Sequence, residues 1–219
     1  MTGNLELDSA KPNKTRKTVL SLIGGGLVGF LGASGVIILI ELGVFGVPDV
    51  SQTIALLTAL IYLLTGLIVA LGVAAPEVGA KFLNVEDADE LLEEKQGLVA
   101  SGWGMIALGV MLALIALGGT GGALQPSWAL GGALLMGAIG TWLSTRSMKL
   151  ADELMRATMV EAGSTAYYLL FVVVGGWAML SHLGFAPPPS MLDILTLFWA
   201  LVLVGAFWAA GQRGMLKQR

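Results

Sequence analysis

The chain contains one histidine, His182, in the phrase Ser181-His182-Leu183-Gly184, and a serine among small residues in Gly32-Ala33-Ser34-Gly35. A serine hydroxyl becomes a nucleophile when an imidazole within hydrogen-bond reach accepts its proton, so Ser34 and His182 are the pair that could perform acyl transfer. Carboxylates offer a second chemistry. Glu86, Asp87, Asp89, Glu90, Glu93 and Glu94 form a compact acidic run, and Asp152 and Glu153 repeat its theme. Such a run suits docking of a basic partner or weak binding of a divalent ion, although the ligand pattern of a calcium loop, with glycine at its sixth position, is missing. Glu41 ends a long apolar stretch and, with His182, forms a candidate polar site at the membrane edge, where a coupling ion or substrate could bind. With no cysteine in the chain, disulfides, thiolate chemistry and Cys-based metal sites are excluded. No motif names a cofactor.

The elements that must position these groups are membrane helices. Hydrophobic residues make up 56% of the chain and charged residues 12%, against roughly a quarter charged in soluble domains. Six apolar runs stand out, at 18–42, 54–75, 98–119, 129–145, 166–183 and 192–211. Each approaches the ~20 residues that cross ~30 Å of hydrocarbon. Lipid offers backbone amides no partners, and the runs do not alternate as barrel strands would, so helices are expected. The first run exceeds the roughly 7–15 apolar residues of a cleaved signal and reads as a retained anchor.

Charge sorts the ends of these spans. The twelve basic residues lie before the first span (Lys11, Lys14, Arg16, Lys17), between the second and third (Lys81, Lys95), between the fourth and fifth (Arg146, Lys149, Arg156), and after the last (Arg213, Lys217, Arg219). The connections 43–53, 120–128 and 184–191 hold none. Insertion retains Lys and Arg on the cytoplasmic side, which puts both termini there. The expected fold is therefore an all-α polytopic bundle of six transmembrane helices in the cell (inner) membrane. It divides into a cytoplasmic tail (1–17), a membrane domain (18–212) and a short basic tail (213–219). The net charge of −3 argues against nucleic acid as a partner.

Small residues recur every four positions along three spans: Ser21, Gly25, Gly29 and Ala33; Gly66, Ala70 and Ala74; Ala129, Ala133, Gly137 and Thr141. Such stripes let helix backbones approach closely and serve either packing within the bundle or an interface with another chain. Gly24-Gly25-Gly26 has neither the Lys nor the Ser/Thr of a phosphate loop. The inner connections share a phrase, Ala88-Asp89-Glu90-Leu91 and Ala151-Asp152-Glu153-Leu154, which hints at duplication of a helical hairpin. Asn84 with Asp87 reads as a helix cap, and Val85, Ala88, Leu91 and Leu92 then share one face. Leu150, Ala151, Leu154 and Met155 do likewise. Spans three and five are thus expected to begin as amphipathic helices whose acids, Asp87, Asp89, Glu90, Glu93, Glu94, Asp152 and Glu153, form a cytoplasmic docking surface.

The two phrases around Ser34 and His182 resemble those of rhomboid intramembrane proteases, in the G-x-S-G sequence and in the histidine of a late span. The resemblance covers eight residues and implies six spans, a Ser34–His182 dyad and an opening toward the outer leaflet. This chain departs from the family in placing the serine in span one and the histidine in span five, and it lacks an asparagine in any span.

Span interiors carry no charge, which removes proton relays, voltage sensors and Schiff-base lysines. The leading expectation is a non-catalytic integral membrane protein, a subunit or an assembly and scaffold partner of a membrane complex, associating with lipid and with other membrane subunits. An alternative is a small transporter or channel for an apolar or uncharged solute, with Thr58, Thr65, Ser101 and Thr196 lining a midplane cavity. The protease is the remote reading.

Overall fold

The computed structural model describes residues 14–79, 88–119 and 122–215. Regular structure among them is helical: α1 (Lys14–Glu41), α2 (Val50–Ala74), α3 (Pro76–Gly79), α4 (Ala88–Glu93), α5 (Lys95–Leu117), α6 (Pro126–Leu150), α7 (Glu153–His182) and α8 (Met191–Gln212). Four of them, α2, α5, α7 and α8, are long and apolar enough to cross a membrane. In α1 the described apolar stretch is shorter, Gly25–Glu41. The 25 residues of α6 are diluted by Gly, Ser and Thr and close on Arg146 and Lys149.

Caps set the helix ends. Asp49 and Gln52 exchange side-chain-to-backbone bonds in a capping box (2.7 and 2.9 Å), and α2 therefore begins at Val50 rather than at the expected position 54. Ser190 and Asp193 do the same for α8, while Asp152 caps α7 by accepting from the Met155 amide at 2.6 Å. At the other termini, Gly43 (φ +71°) and Gly184 (φ +81°) take the left-handed conformation that closes α1 and α7. In each, the next amide reaches back to close a Schellman motif, Val44 to Leu39 and Phe185 to Leu180.

The inner connections differ most from expectation. Residues 146–165, expected to lie largely outside the membrane spans, are helical apart from Ala151 and Asp152. Charge ends a lipid-soluble run, but it does not end a helix. That takes the extended backbone of Ala151 (ψ 141°) and the Asp152 cap. The resulting α7 has 30 residues, ~45 Å at 1.5 Å each, and outreaches the ~30 Å hydrocarbon layer. Span five thus does begin as a helix on its polar side, but Leu150 and Leu154 are about half exposed. Span three instead has a break at Glu94 between α4 and α5. Leu91 on α4 is fully buried and Leu92 is half exposed. Asn84, Val85, Glu86 and Asp87 lie outside the described residues.

Packing follows chain order with one rearrangement. The α2–α5 pair is antiparallel: Gln52 Nε2 donates to the Ala116 carbonyl (3.1 Å) near one end, and Gly66 lies on Gly102 near the other. A side chain at Gly66 would put its Cβ 2.5 Å from the Gly102 oxygen, and one at Gly109 would sit 3.0 Å from the Ala59 oxygen. These contacts exist because glycine leaves backbone against backbone. α6 packs antiparallel on α5, and α7 on α8. α8 returns to lie alongside α2 in the same direction, with Leu192 and Trp199 against the buried cluster Ala55, Leu56, Ala59, Leu112 and Ala116. α1 reaches that cluster through Val36, and Gly32 rests on Leu60 and Leu64. α6 and α7, joined by two residues, share no extended packing. The two Ala-Asp-Glu-Leu phrases therefore do not mark two packed hairpins of the same kind.

These directions gather the three loops free of Lys and Arg at one end, where Gly46 pairs with Gly122 and Ser190 meets Ser51. Every described Lys and Arg lies toward the other end. Large apolar side chains face outward on the long helices, among them Phe30, Leu134, Phe171 and Phe207.

Substituting Gly66 with Ala should lower stability by about 1–3 kcal/mol, because the added carbon meets backbone that has nowhere to move. Gly25→Ala and Gly29→Ala, which project into open space, should be neutral. Thermal unfolding of the three variants in detergent checks the contrast.

Candidate functional site

The small-residue stripes part company in three dimensions. On α6, Ala129 and Ala133 are buried and Gly137 is half-buried against the Met111 sulfur, so these three face α5. Thr141 continues the stripe but is exposed. A four-residue step turns ~40° past a full helical turn, so three steps rotate Thr141 by ~120° away from Ala129. On α2, Gly66 is buried against α5. The α1 stripe is different: Gly25 and Gly29 are exposed with nothing within 4 Å of where a Cβ would stand, while Ala33 is half-buried. Ser21 lies in the same helix. The glycine that packs on α2 is Gly32, from a neighbouring face. Gly25 and Gly29 of the α1 stripe thus meet no other helix among the described residues.

Two aromatic side chains in the bundle interior use their polar edges to hold α8. The Tyr62 hydroxyl donates to the Trp199 carbonyl (3.0 Å), and the Trp199 indole donates to the Leu108 carbonyl (3.2 Å). One aromatic from α2 and one from α8 thereby tie three helices. Nothing in the spacing of Tyr62 and Trp199 along the sequence shows that their polar edges meet carbonyls of other helices.

The four groups expected to line a midplane cavity do not converge. Thr58 and Thr65 bond the carbonyls of Ile54 and Ile61 in their own helix (2.9 and 2.7 Å). Thr196 is buried with its hydroxyl unpartnered, and Ser101 lies in a groove toward the Lys/Arg-bearing end. Counted from the loop end at 1.5 Å per residue, Thr196 and Ser101 differ by ~16 Å in depth. The reactive pair is not assembled either. Ser34 is half-buried on α1, which packs on α2, and His182 is the exposed last residue of α7, which packs on α8. Among the described residues no hydrogen bond joins them. Glu41 ends α1 and is exposed.

The acids of the expected docking surface also separate. Glu93 and Glu94 are exposed at the α4–α5 break, and with Asp152 they border a groove of about 200 Å³ that includes Ser147 and Met155. Asp152 is occupied as a helix cap, and Glu153 stands exposed on the first turn of α7. Asp89 and Glu90 belong to α4, and Asp87 lies outside the described residues. No cluster of three metal-binding side chains forms among the described residues.

Two further sites emerge only in the fold. Glu161 on α7 pairs with Arg213 beyond α8 at 2.8 Å. In the amide orientation that satisfies its neighbours, Gln212 donates to the other Glu161 oxygen (3.1 Å) and accepts from the Trp208 indole (2.7 Å). This network clamps the polar end of the α7–α8 pair. The second is a groove of about 700 Å³ where α6 and α8 diverge, with Leu108 and Met111 of α5 as its floor and Trp142 and Trp199 among its walls. Arg146 lies over the Trp142 ring, 5.7 Å from its centroid.

Tyr62→Phe should cost about 1 kcal/mol of unfolding free energy, in keeping with interhelical hydrogen bonds in lipid. Ser34→Ala should leave stability unchanged. Chemical unfolding in mixed micelles reads both, and equal stability for the Tyr62 variant would remove the lock.

No protein-family model, curated protein or solved structure matches this chain.

Proposed function

We propose that the chain is a six-span membrane protein of the cell (inner) membrane, both termini cytoplasmic, acting as a non-catalytic subunit or assembly partner of a membrane complex. The observation that carries this reading is the open small-residue face of α1, where Gly25 and Gly29 meet nothing within 4 Å while Gly66, Gly102 and Gly109 at the α2–α5 contact are filled. Close helix contact is the main source of association energy between lipid-soluble helices, since the hydrophobic effect does not distinguish a neighbouring helix from lipid. A face shaped for such contact and unmatched among the described residues suits a helix supplied from outside.

The topology is supported by the segregation of charge. Three loops without Lys or Arg share one end, and the described basic residues share the other, as retention on the cytoplasmic face requires. The mostly exposed α7 adds a second lipid- or partner-facing surface. The exposed Glu93, Glu94 and Glu153 stand at the same end as the basic residues and suit a basic cytoplasmic partner.

The absence of native cysteine makes the topology directly testable. A membrane-impermeant thiol reagent applied from outside should label Ala123→Cys and leave Lys149→Cys untouched until the membrane is opened. Labelling of both from one side would overturn the arrangement. For the function, gentle extraction followed by mass measurement should return the chain in a complex, and Gly25→Leu with Gly29→Leu should release it without lowering its own stability. A lone, homogeneous monomer from the native membrane would refute the subunit role.

A further inference from the structure

We propose that the groove between α6 and α8 is a binding site for a single anionic phospholipid of the cytoplasmic leaflet, its acyl chain in the groove and its phosphate on Arg146. The inference rests on the six-span orientation given above but not on the subunit role. α6 and α8 both belong to the bundle around α5, yet they do not pack on one another, which leaves a cleft opening sideways into the hydrocarbon. Its floor is Leu108 and Met111, and its α6 wall is low because Gly137 and Ala138 stand there. The opposite wall is Trp199, whose indole is pinned to the Leu108 carbonyl, so the cleft is formed before any ligand enters. From Ala133 to Trp142 the α6 wall runs ~13 Å along the axis, which is the direction of a lipid tail.

Charge complementarity selects the occupant. One helical turn beyond Trp142, at the end of the groove nearest the basic face, the Arg146 guanidinium lies against the indole ring. A stacked guanidinium keeps its N–H edge free for phosphate oxygens, a bidentate geometry that lysine cannot reproduce. Lys149 follows on the next turn and adds to the positive potential at headgroup depth. A helix from another protein would fit the apolar cleft, but it would not supply the anion that this mouth is placed to receive.

The test uses the full-length chain in nanodiscs of phosphatidylcholine with phosphatidylglycerol, released into the gas phase for native mass spectrometry. The expected result is retention of one phosphatidylglycerol, at least tenfold over phosphatidylcholine. Arg146→Gln should abolish that preference while Arg146→Lys restores it only in part. Ala138→Phe, an exposed position on the groove wall, should displace the lipid altogether with unchanged helix content by circular dichroism. A photoreactive side chain at Ala138 should attach to phospholipid in native membranes. Equal retention of the two lipids, preference surviving Arg146→Gln, or attachment of a polypeptide at Ala138 would each overturn the site. A reversed orientation would show instead in the thiol labelling of Lys149→Cys, which separates failure of the topology from failure of the lipid site.

Discussion

The architecture depends on one contact, the meeting of α2 and α5 at glycine. Where Gly66 lies on Gly102 and Gly109 on Ala59, the helices touch through backbone rather than side chains, and this closeness supplies the dispersion energy that lipid would otherwise match. The rest of the bundle is arranged on that pair. α6 lies on the far side of α5, α8 lies along α2 and over Leu108 of α5, and α1 rests on α2 through Gly32 and reaches the buried cluster through Val36. α7 reaches the bundle through α8.

Polar groups inside such a bundle meet different fates, and the Thr196 hydroxyl is left buried without a partner. Thr58 and Thr65 return their hydroxyls to their own helix, which satisfies them without linking anything. Gln52, Tyr62 and Trp199 instead cross between helices and end on carbonyls of a neighbour. In a medium without water an unmade bond is expensive, so the Tyr62 and Trp199 bonds orient α8 more strictly than its leucines and valines could, while Gln52 ties α2 to α5. The ends are held differently, by the capping boxes at Asp49 and Ser190 and by the Glu161–Arg213 pair. That pair is about a third exposed and contributes little to stability. Its role is to fix where the long α7 stands relative to α8.

What the bundle leaves unfilled is as informative as what it fills. Among the surfaces left open are the glycine face of α1 and the cleft between α6 and α8. The first, at Gly25 and Gly29, is built of small residues and is shaped for a helix. The second carries a guanidinium at its mouth and is shaped for a lipid. Surface chemistry distinguishes them although both are apolar.

The order of the lipid-soluble segments was legible in the chain itself, because transfer into hydrocarbon is a local property of about twenty consecutive residues. Helix ends at Val50 and Glu153 were less so: they depend on caps supplied by Asp49 and Asp152, and apolarity says nothing of caps. The small-residue stripes were visible, but not which would be used. Gly25 and Gly29 follow the same spacing as Ala129 and Ala133, yet only the latter pair is covered. The pairing of Tyr62 with the Trp199 carbonyl, of Glu161 with Arg213, and the cleft beside Trp142 were decided only by tertiary structure. Each joins residues from helices distant in sequence, and a lipid-soluble helix carries no mark of which neighbour it will meet, since lipid and helix surfaces are alike to the hydrophobic effect.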